Sequence, residues 1–200
     1  MNLLFPKENK TFYLPNSILE YYPHFFDEEK ANTFFSKLYT ETPWQQDSIT
    51  VFGKTHLQPR LTALFGNEAK PYSYSGITMQ PHKWNAPLMY IKNEVETICQ
   101  VNFTTVLLNL YRNGNDSMGY HADNEKELGE NPVIASVSFG AERLIHFRHN
   151  DIKNEKQKIL LEHGSLLIMK GETQHFYKHQ IPKTAKSVGA RINLTFRTII

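Results

Sequence analysis

His121-Ala122-Asp123 places an imidazole and a carboxylate two residues apart. In an extended segment such a pair points the same way. Two ligands of a 2-His-1-carboxylate metal site need that convergence, and such a site leaves coordination positions open for substrate and oxygen. The residues before it, Arg112 to Tyr120, include Gly114, Gly119, Asn113, Asn115 and Asp116, and read as an irregular loop leaving a strand. Taken alone, His-x-Asp also describes a surface loop with a local Asp–His hydrogen bond. A metal site needs a second histidine. His163, His175 and His179 are the candidates, with His146 and His149 behind them.

A second constellation lies at 191–197, Arg-Ile-Asn-Leu-Thr-Phe-Arg. Side chains alternate along a strand, so Arg191, Asn193, Thr195 and Arg197 share one face and Ile192, Leu194 and Phe196 the other. The apolar face belongs to a core. The polar face carries two guanidinium forks, which bind carboxylates bidentately, and so suits a dicarboxylate. At ~3.3 Å per residue the two arginine Cα atoms lie roughly 20 Å apart, so the two take different roles. An edge strand with a solvated polar face has the same pattern.

The elements that position these residues follow from periodicity. Asp27 caps a helix running to about Tyr39, with Ala31, Phe34, Phe35, Leu38 and Tyr39 as its apolar stripe. A second helix follows Asn85 to about Cys99, burying Leu88, Ile91, Val95 and Ile98, with Pro87 tolerated in its first turn. Beyond residue 100 the pattern is strands. These are Phe103 to Tyr111, Val133 to Phe139, a partner Arg143 to Arg148 after the turn at Gly140, a hairpin of Lys158 to Glu162 with Ser165 to Met169, and Ala190 to Ile199. Short strands at this density predict a sandwich or jelly roll, mostly β, with flanking helices bracing one sheet.

Composition narrows the classes. The 200 residues suit a single domain. The one cysteine, Cys99, excludes a disulfide framework and a cysteine-based zinc site, and fits a reducing compartment. No apolar run approaches the ~20 residues that span a bilayer. Met1 to Lys7 is too short and broken for a signal peptide. The expectation is an intracellular protein with no membrane partner, cytoplasmic or nucleoid-associated in a bacterium, nuclear in a eukaryote. The net charge of +2 is uneven: residues 143–200 hold eleven Lys/Arg against four Asp/Glu, so the basic part suits a polyanion, although a solvated face would carry it equally.

Arg191-x-Asn193-x-Thr195-x-Arg197, downstream of His121-x-Asp123 and His179, resembles the signature of the AlkB family of iron(II)- and 2-oxoglutarate-dependent dioxygenases. Asn109-Leu110-Tyr111 with Gly114 and Gly119 resembles the family's approach to the metal. Val51-Phe52-Gly53-Lys54, Pro59-Arg60, Tyr72 to Gly76, Ser136 to Gly140 and His163 to Leu167 resemble its duplex-DNA repair branch. The resemblance implies a double-stranded β-helix, a kind of jelly roll, over about 101–200, with N-terminal helices and a nucleotide-recognition lid over about 1–100. It implies iron held by His121, Asp123 and His179, and His163 and His175 as structural residues. Arg191 would pair with the far carboxylate of 2-oxoglutarate, helped by Tyr111 and Asn193. Arg197, Thr195 and Asn109 would lie nearer the metal, with Arg197 counted among the catalytic residues.

The implied reaction uses O2 to hydroxylate an N-alkyl carbon on bases such as 1-methyladenine and 3-methylcytosine, releasing formaldehyde, succinate and CO2. The implied partner of a monomer is alkylated duplex DNA with its damaged base flipped out. Phe52, between Val51 and Gly53, would fill the gap in the stack. Tyr72 and Tyr74 would line the base pocket, and Lys54 and Arg60 would touch phosphates or the opposite strand. One departure stands out. The duplex branch carries a second acidic residue after the iron aspartate, whereas this chain has Asn124 followed by Glu125, and an amide lacks the charge that a cationic base prefers. Single-stranded DNA or RNA as substrate, and a jelly roll that binds without turnover, are the rival readings.

Overall fold

The computed structural model describes residues 8–51, 54–67, 72–74 and 77–200, with the backbone alone at 49–51, 54, 72–74, 77 and 78. Pro15-Asn16 turns the chain between β1 (Lys10–Leu14) and β2 (Ser17–Tyr22), two strands not expected from sequence. Asn16 sits at φ 57°, a region that Asn tolerates better than most residues. α1 (Glu28–Glu41) starts at its expected cap, where the Asp27 carboxylate accepts the Lys30 N–H at 2.8 Å. Short strands follow: β3 (Ser48–Val51), β4 (Lys54–Leu57), β5 (Leu61–Gly66), β6 (Tyr72–Tyr74) and β7 (Ile77–Met79). In α2 (Ala86–Cys99) the Asn85 side chain caps the Leu88 N–H at 3.0 Å. This helix buries Leu88, Ile91, Val95 and Cys99, while Ile98, expected in the stripe, is 38% exposed. Eleven residues make just over three helical turns, so Cys99 falls under Leu88 and Ile98 is rotated off that line.

The second half is β8 (Thr105–Tyr111), β9 (Met118–His121), β10 (Ile134–Gly140), β11 (Arg143–His149), β12 (Lys156–Leu161), β13 (Ser165–Lys170), the one-turn α3 (Thr173–Phe176), β14 (Tyr177–Ile181) and β15 (Arg191–Arg197). β9 regularises the end of the segment expected as a loop. The large sheet has the order β1-β2-β13-β10-β15-β8-β5, and the small one β12-β11-β14-β9, with every neighbouring pair antiparallel.

Two expected pairings are therefore wrong. β10 does not pair with β11, and β12 does not form a hairpin with β13; in each case the turn carries the chain from one sheet to the other. Both sides of β10 and β13 are buried, whereas β11 and β12 alternate buried and exposed residues, so each turn carries the chain across the core into the second sheet rather than alongside itself. The fold is the expected jelly roll. α1 and α2 cover the outer face of the large sheet through Leu38, Leu88, Ile91 and Val95 against Ala135, Val137, Leu194 and Phe196. The inner face, turned toward the small sheet, holds the polar residues of β15.

The two sheet-crossing turns hold each other. Gly140 N–H donates to His163 Nδ1 at 2.7 Å, and Gly164 N–H donates to the Ser138 carbonyl at 2.8 Å. Gly140 lies at φ 86°, and a Cβ there would overlap the Ala190 carbonyl and the Phe35 ring. Gly140→Ala is expected to lower unfolding free energy by about 2–4 kcal/mol in urea titrations. Burial pushes the His163 imidazole below its ordinary pKa, with Glu28 and Glu142 opposing. Below the unfolded value of about 6.5 the unfolded chain then binds the extra proton, so stability falls with falling pH. His163→Asn, which keeps an acceptor and does not titrate, is expected to lose stability less steeply between about pH 6.5 and 5; equal slopes would remove His163 from this role.

Candidate active site

His121 and His179 are direct cross-strand neighbours on β9 and β14, with ring centroids 4.3 Å apart. Asp123 follows two residues beyond the end of β9. One ligand atom from each of His121, Asp123 and His179 lies within 4.8 Å of the other two. His121 Nδ1 lies 2.9 Å from the Gly119 carbonyl, which can only accept, so the ring proton belongs there and Nε2 is the ligating nitrogen. The Asp123 carboxylate is divided: Oδ1 accepts Arg197 Nη2 at 2.8 Å, and Oδ2 faces His179 Nε2 at 3.9 Å.

Burial alone would push the Asp123 carboxyl up, but Arg197, His179 and His121 outweigh it and bring it down to about 2. Burial, with the His121 ring, brings His179 down to about 3 against the pull of Asp123. Carboxylate and neutral imidazole are the forms a metal takes.

The cavity floor comes from three adjacent strands of the large sheet. β15 supplies Arg191, Asn193, Thr195 and Arg197, β8 supplies Leu107, Asn109 and Tyr111, and β10 supplies Ser136; Met118, Ile145, Leu161, Met169 and Ile181 add apolar wall. The polar face of β15 is thus as buried as its apolar face. Arg191, 1% exposed, donates Nη2 to Ser138 Oγ at 2.9 Å and sits over the Tyr111 ring, 5.2 Å from its centroid. Its Nε and Nη1 have no hydrogen-bond partner among the described residues. Burial lowers this guanidinium to about 10, with Tyr111 opposing.

A buried cation with two unused donors fits an anionic ligand, and Arg191 presents the geometry of a carboxylate clamp. The donor set and this clamp together fit iron(II) at His121, Asp123 and His179 with 2-oxoglutarate reaching to Arg191.

The structure reassigns several expected roles. Asn193 Nδ2 donates to Ser136 Oγ at 2.7 Å and the Val137 carbonyl at 3.2 Å, and its Oδ1 accepts Thr195 Oγ1 at 3.0 Å, so it braces the floor. Arg60, expected at a phosphate, is 4% exposed and donates Nε to Asn109 Oδ1 at 2.7 Å. Its position beside β5, which pairs with β8, turns it inward. His163 serves the Gly140 turn, and the exposed His175 engages through its backbone, its N–H donating to the Glu172 carbonyl and its carbonyl accepting from Asn150. Asn124 is exposed, while Glu125 is half-buried with Oε2 unpartnered among the described residues and its carboxyl pushed up by burial and by Asp123.

Phe52 and Gly53 lie outside the described residues. Val51 pairs with Lys54, and Tyr72 with Met79, in two antiparallel pairs. Reasoning from sequence missed Ser138 and Gln174. Ser138 was signalled by its alternation with Val137 and Phe139; Gln174 carried no signal of its own.

Removing Arg197 would strand the Asp123 carboxylate, which is 1% exposed. Arg197→Met is expected to cost the metal-free protein about 3–5 kcal/mol in urea unfolding, and adding Asp123→Asn should recover more than half of it. No recovery would show that the loss comes from packing rather than from the stranded charge.

Residues 18–197 match the 2OG-Fe(II) oxygenase superfamily. Over 186 residues the chain is 42% identical to alpha-ketoglutarate-dependent dioxygenase alkB homolog 3 of Bos taurus, covering 88% of this chain and 64% of that one. Over 189 residues it is 36% identical to the human DNA oxidative demethylase ALKBH2, covering 90% of this chain and 72% of the relative. The chain therefore spans less than two thirds of the bovine relative's length. The solved structure of OsALKBH1 is similar in fold, with a TM-score of 0.66 at 16% identity, covering 94% of this chain and 100% of that one. With the His-Asp-His cluster and the buried arginine strand already in place, these matches make the chain a member of the 2OG-Fe(II) oxygenase superfamily and, within it, of the AlkB family.

Proposed function

We propose that the protein oxidatively removes N-alkyl groups from bases in DNA, such as 1-methyladenine and 3-methylcytosine, and works on the duplex as a monomer. One observation carries the chemistry: the His121, Asp123 and His179 cluster opens into a cavity whose far end holds the buried Arg191 with two unused donors. Iron(II), with 2-oxoglutarate and O2, supplies when bound a two-electron oxidation of a C–H bond, with the cosubstrate leaving as succinate and CO2. His121, Asp123 and His179 hold that metal. Arg191 grips the distal carboxylate of the cosubstrate beside Tyr111, and Arg197 keeps Asp123 ionised and oriented. Leu107, Met118, Ile145 and Ile181 keep water from the reacting atoms. The hydroxylated carbon then leaves the base as formaldehyde: the C–N bond breaks with its electron pair staying on the ring nitrogen, and the hydroxyl proton is released.

The substrate reading draws on two relatives named DNA oxidative demethylase and on the molecule's charge. On the outer face of the small sheet Arg148 lies opposite Lys156 on one side and Lys178 on the other, all three exposed. The Arg148 guanidinium stacks over Tyr120, 3.9 Å from the ring centroid. Like charges in cross-strand register repel one another, and a phosphate backbone offsets that repulsion. In this reading Phe52 wedges the stack, Val51, Gly53 and Lys54 complete its hairpin, Tyr72 and Tyr74 line the base pocket, and Glu125 meets the cationic base where Asn124 cannot. The compartment is the one that holds the nucleic acid, the cytoplasm or nucleoid in a bacterium and the nucleus in a eukaryote.

Purified protein with iron(II), 2-oxoglutarate and O2 is expected to restore adenine in duplex DNA carrying one 1-methyladenine, read by mass spectrometry, with His121→Ala inactive. Arg191→Met should raise the 2-oxoglutarate concentration needed by about a hundredfold or more. Phe52→Ala should lose duplex activity and keep single-strand activity; equal loss on both would remove Phe52 from the wedge role, and a wild type that repairs only single strands would move the substrate there. Turnover of 2-oxoglutarate without repair of either would reject the lesion and keep the iron site.

A further inference from the structure

The ladder that positions the two histidines stops short of Asp123, because β9 ends at His121. Asp123 therefore needs ties of another kind. One is Arg197 on its carboxylate. The other is a backbone bond: Asp123 N–H donates to Gln174 Oε1 at 2.9 Å. A backbone N–H demands an acceptor, so the amide orientation is fixed, and Gln174 Nε2 lies 3.5 Å from Met169 Sδ. Gln174 is 1% exposed, and the mechanism above makes no use of it.

Its own position is heavily constrained. It sits in α3, whose Thr173 hydroxyl bonds Ser17 Oγ at 2.7 Å and also the Lys170 carbonyl. The Phe176 and His175 carbonyls accept from Asn150 N and Nδ2 at 2.7 and 2.8 Å. α3 runs directly into β14, and His179 is the third residue of that strand. One anchored turn thus sets the start of the His179 strand and, through a single side chain, the backbone of Asp123.

We propose that Gln174 is a positioning residue for the metal centre, referencing the Asp123 backbone to the strand that carries His179. The proposal rests on the iron site of the preceding section. Partners that orient metal ligands in this way are typically worth 10–100-fold in metal affinity.

Metal-free protein titrated with Co(II), whose visible d–d bands report coordination geometry, tests it. Gln174→Met removes the acceptor, and Gln174→Asn is one methylene too short to reach. Both are expected to bind Co(II) roughly 10–100-fold more weakly, with shifted bands. Gln174→Glu, which keeps an acceptor oxygen, should restore the wild-type spectrum. Val95→Ala, a cavity in the helical layer far from the metal, should lower the melting temperature and leave affinity and bands unmoved. Wild-type affinity and bands in Gln174→Asn would overturn the proposal, and that variant decides the matter should Gln174→Met fail to fold. A wild type that takes up no Co(II) would instead overturn the metal reading, and the role of Gln174 with it.

Discussion

The contact between Arg197 and Asp123 orders the site. It joins the last strand of the large sheet to the loop that leaves the small one, across the open interior of the jelly roll. Because one carboxylate oxygen is taken, the other is directed toward His179. The same guanidinium outweighs the burial that would otherwise protonate Asp123. A carboxylate that remained neutral would be a poor metal ligand, so the electrostatics and the coordination geometry share one cause.

Arg191 shows the complementary arrangement six residues away on the same face. Its charge is buried beside Tyr111 and Ser138 with no carboxylate against it among its described contacts. An isolated buried cation costs stability. The fold carries that cost on a strand buried at every position, flanked by β10 and β8 and backed by the helical layer. Ser136, Asn193 and Thr195 hydrogen-bond among themselves between the two arginines, so the polar face of β15 has no loose group in its middle. The two ends can therefore serve different partners, a metal ligand at Arg197 and an anion at Arg191.

Much of this was legible in the sequence because it follows from period alone. The alternation at 191–197 announced the two faces of β15, and Asp27 and Asn85 announced both helix starts. Strand pairing was not legible. Gly140 and Gly164 read as hairpin turns, because a turn residue shows that the chain reverses and not which sheet it enters next. Both turns cross between sheets, a choice made by packing across the core rather than by local preference. β2 was overlooked although Ser17, Leu19 and Tyr21 alternate with less buried neighbours. Arg60 misled for a different reason: a lone arginine near a hairpin looks like a surface charge until Asn109 on the paired β8 is seen to receive it.

The three metal ligands are not held alike. His121 and His179 are fixed by a backbone ladder, which a side-chain change elsewhere barely disturbs. Asp123 lies past that ladder, and β14 departs from regular register immediately after His179. The carboxylate therefore depends on two side chains, Arg197 from one sheet and Gln174 from the turn before β14. A bulge or a loop bond re-aims a residue at less cost than bending a whole strand. The aspartate is thus placed by side chains, and the imidazoles by the strands that carry them.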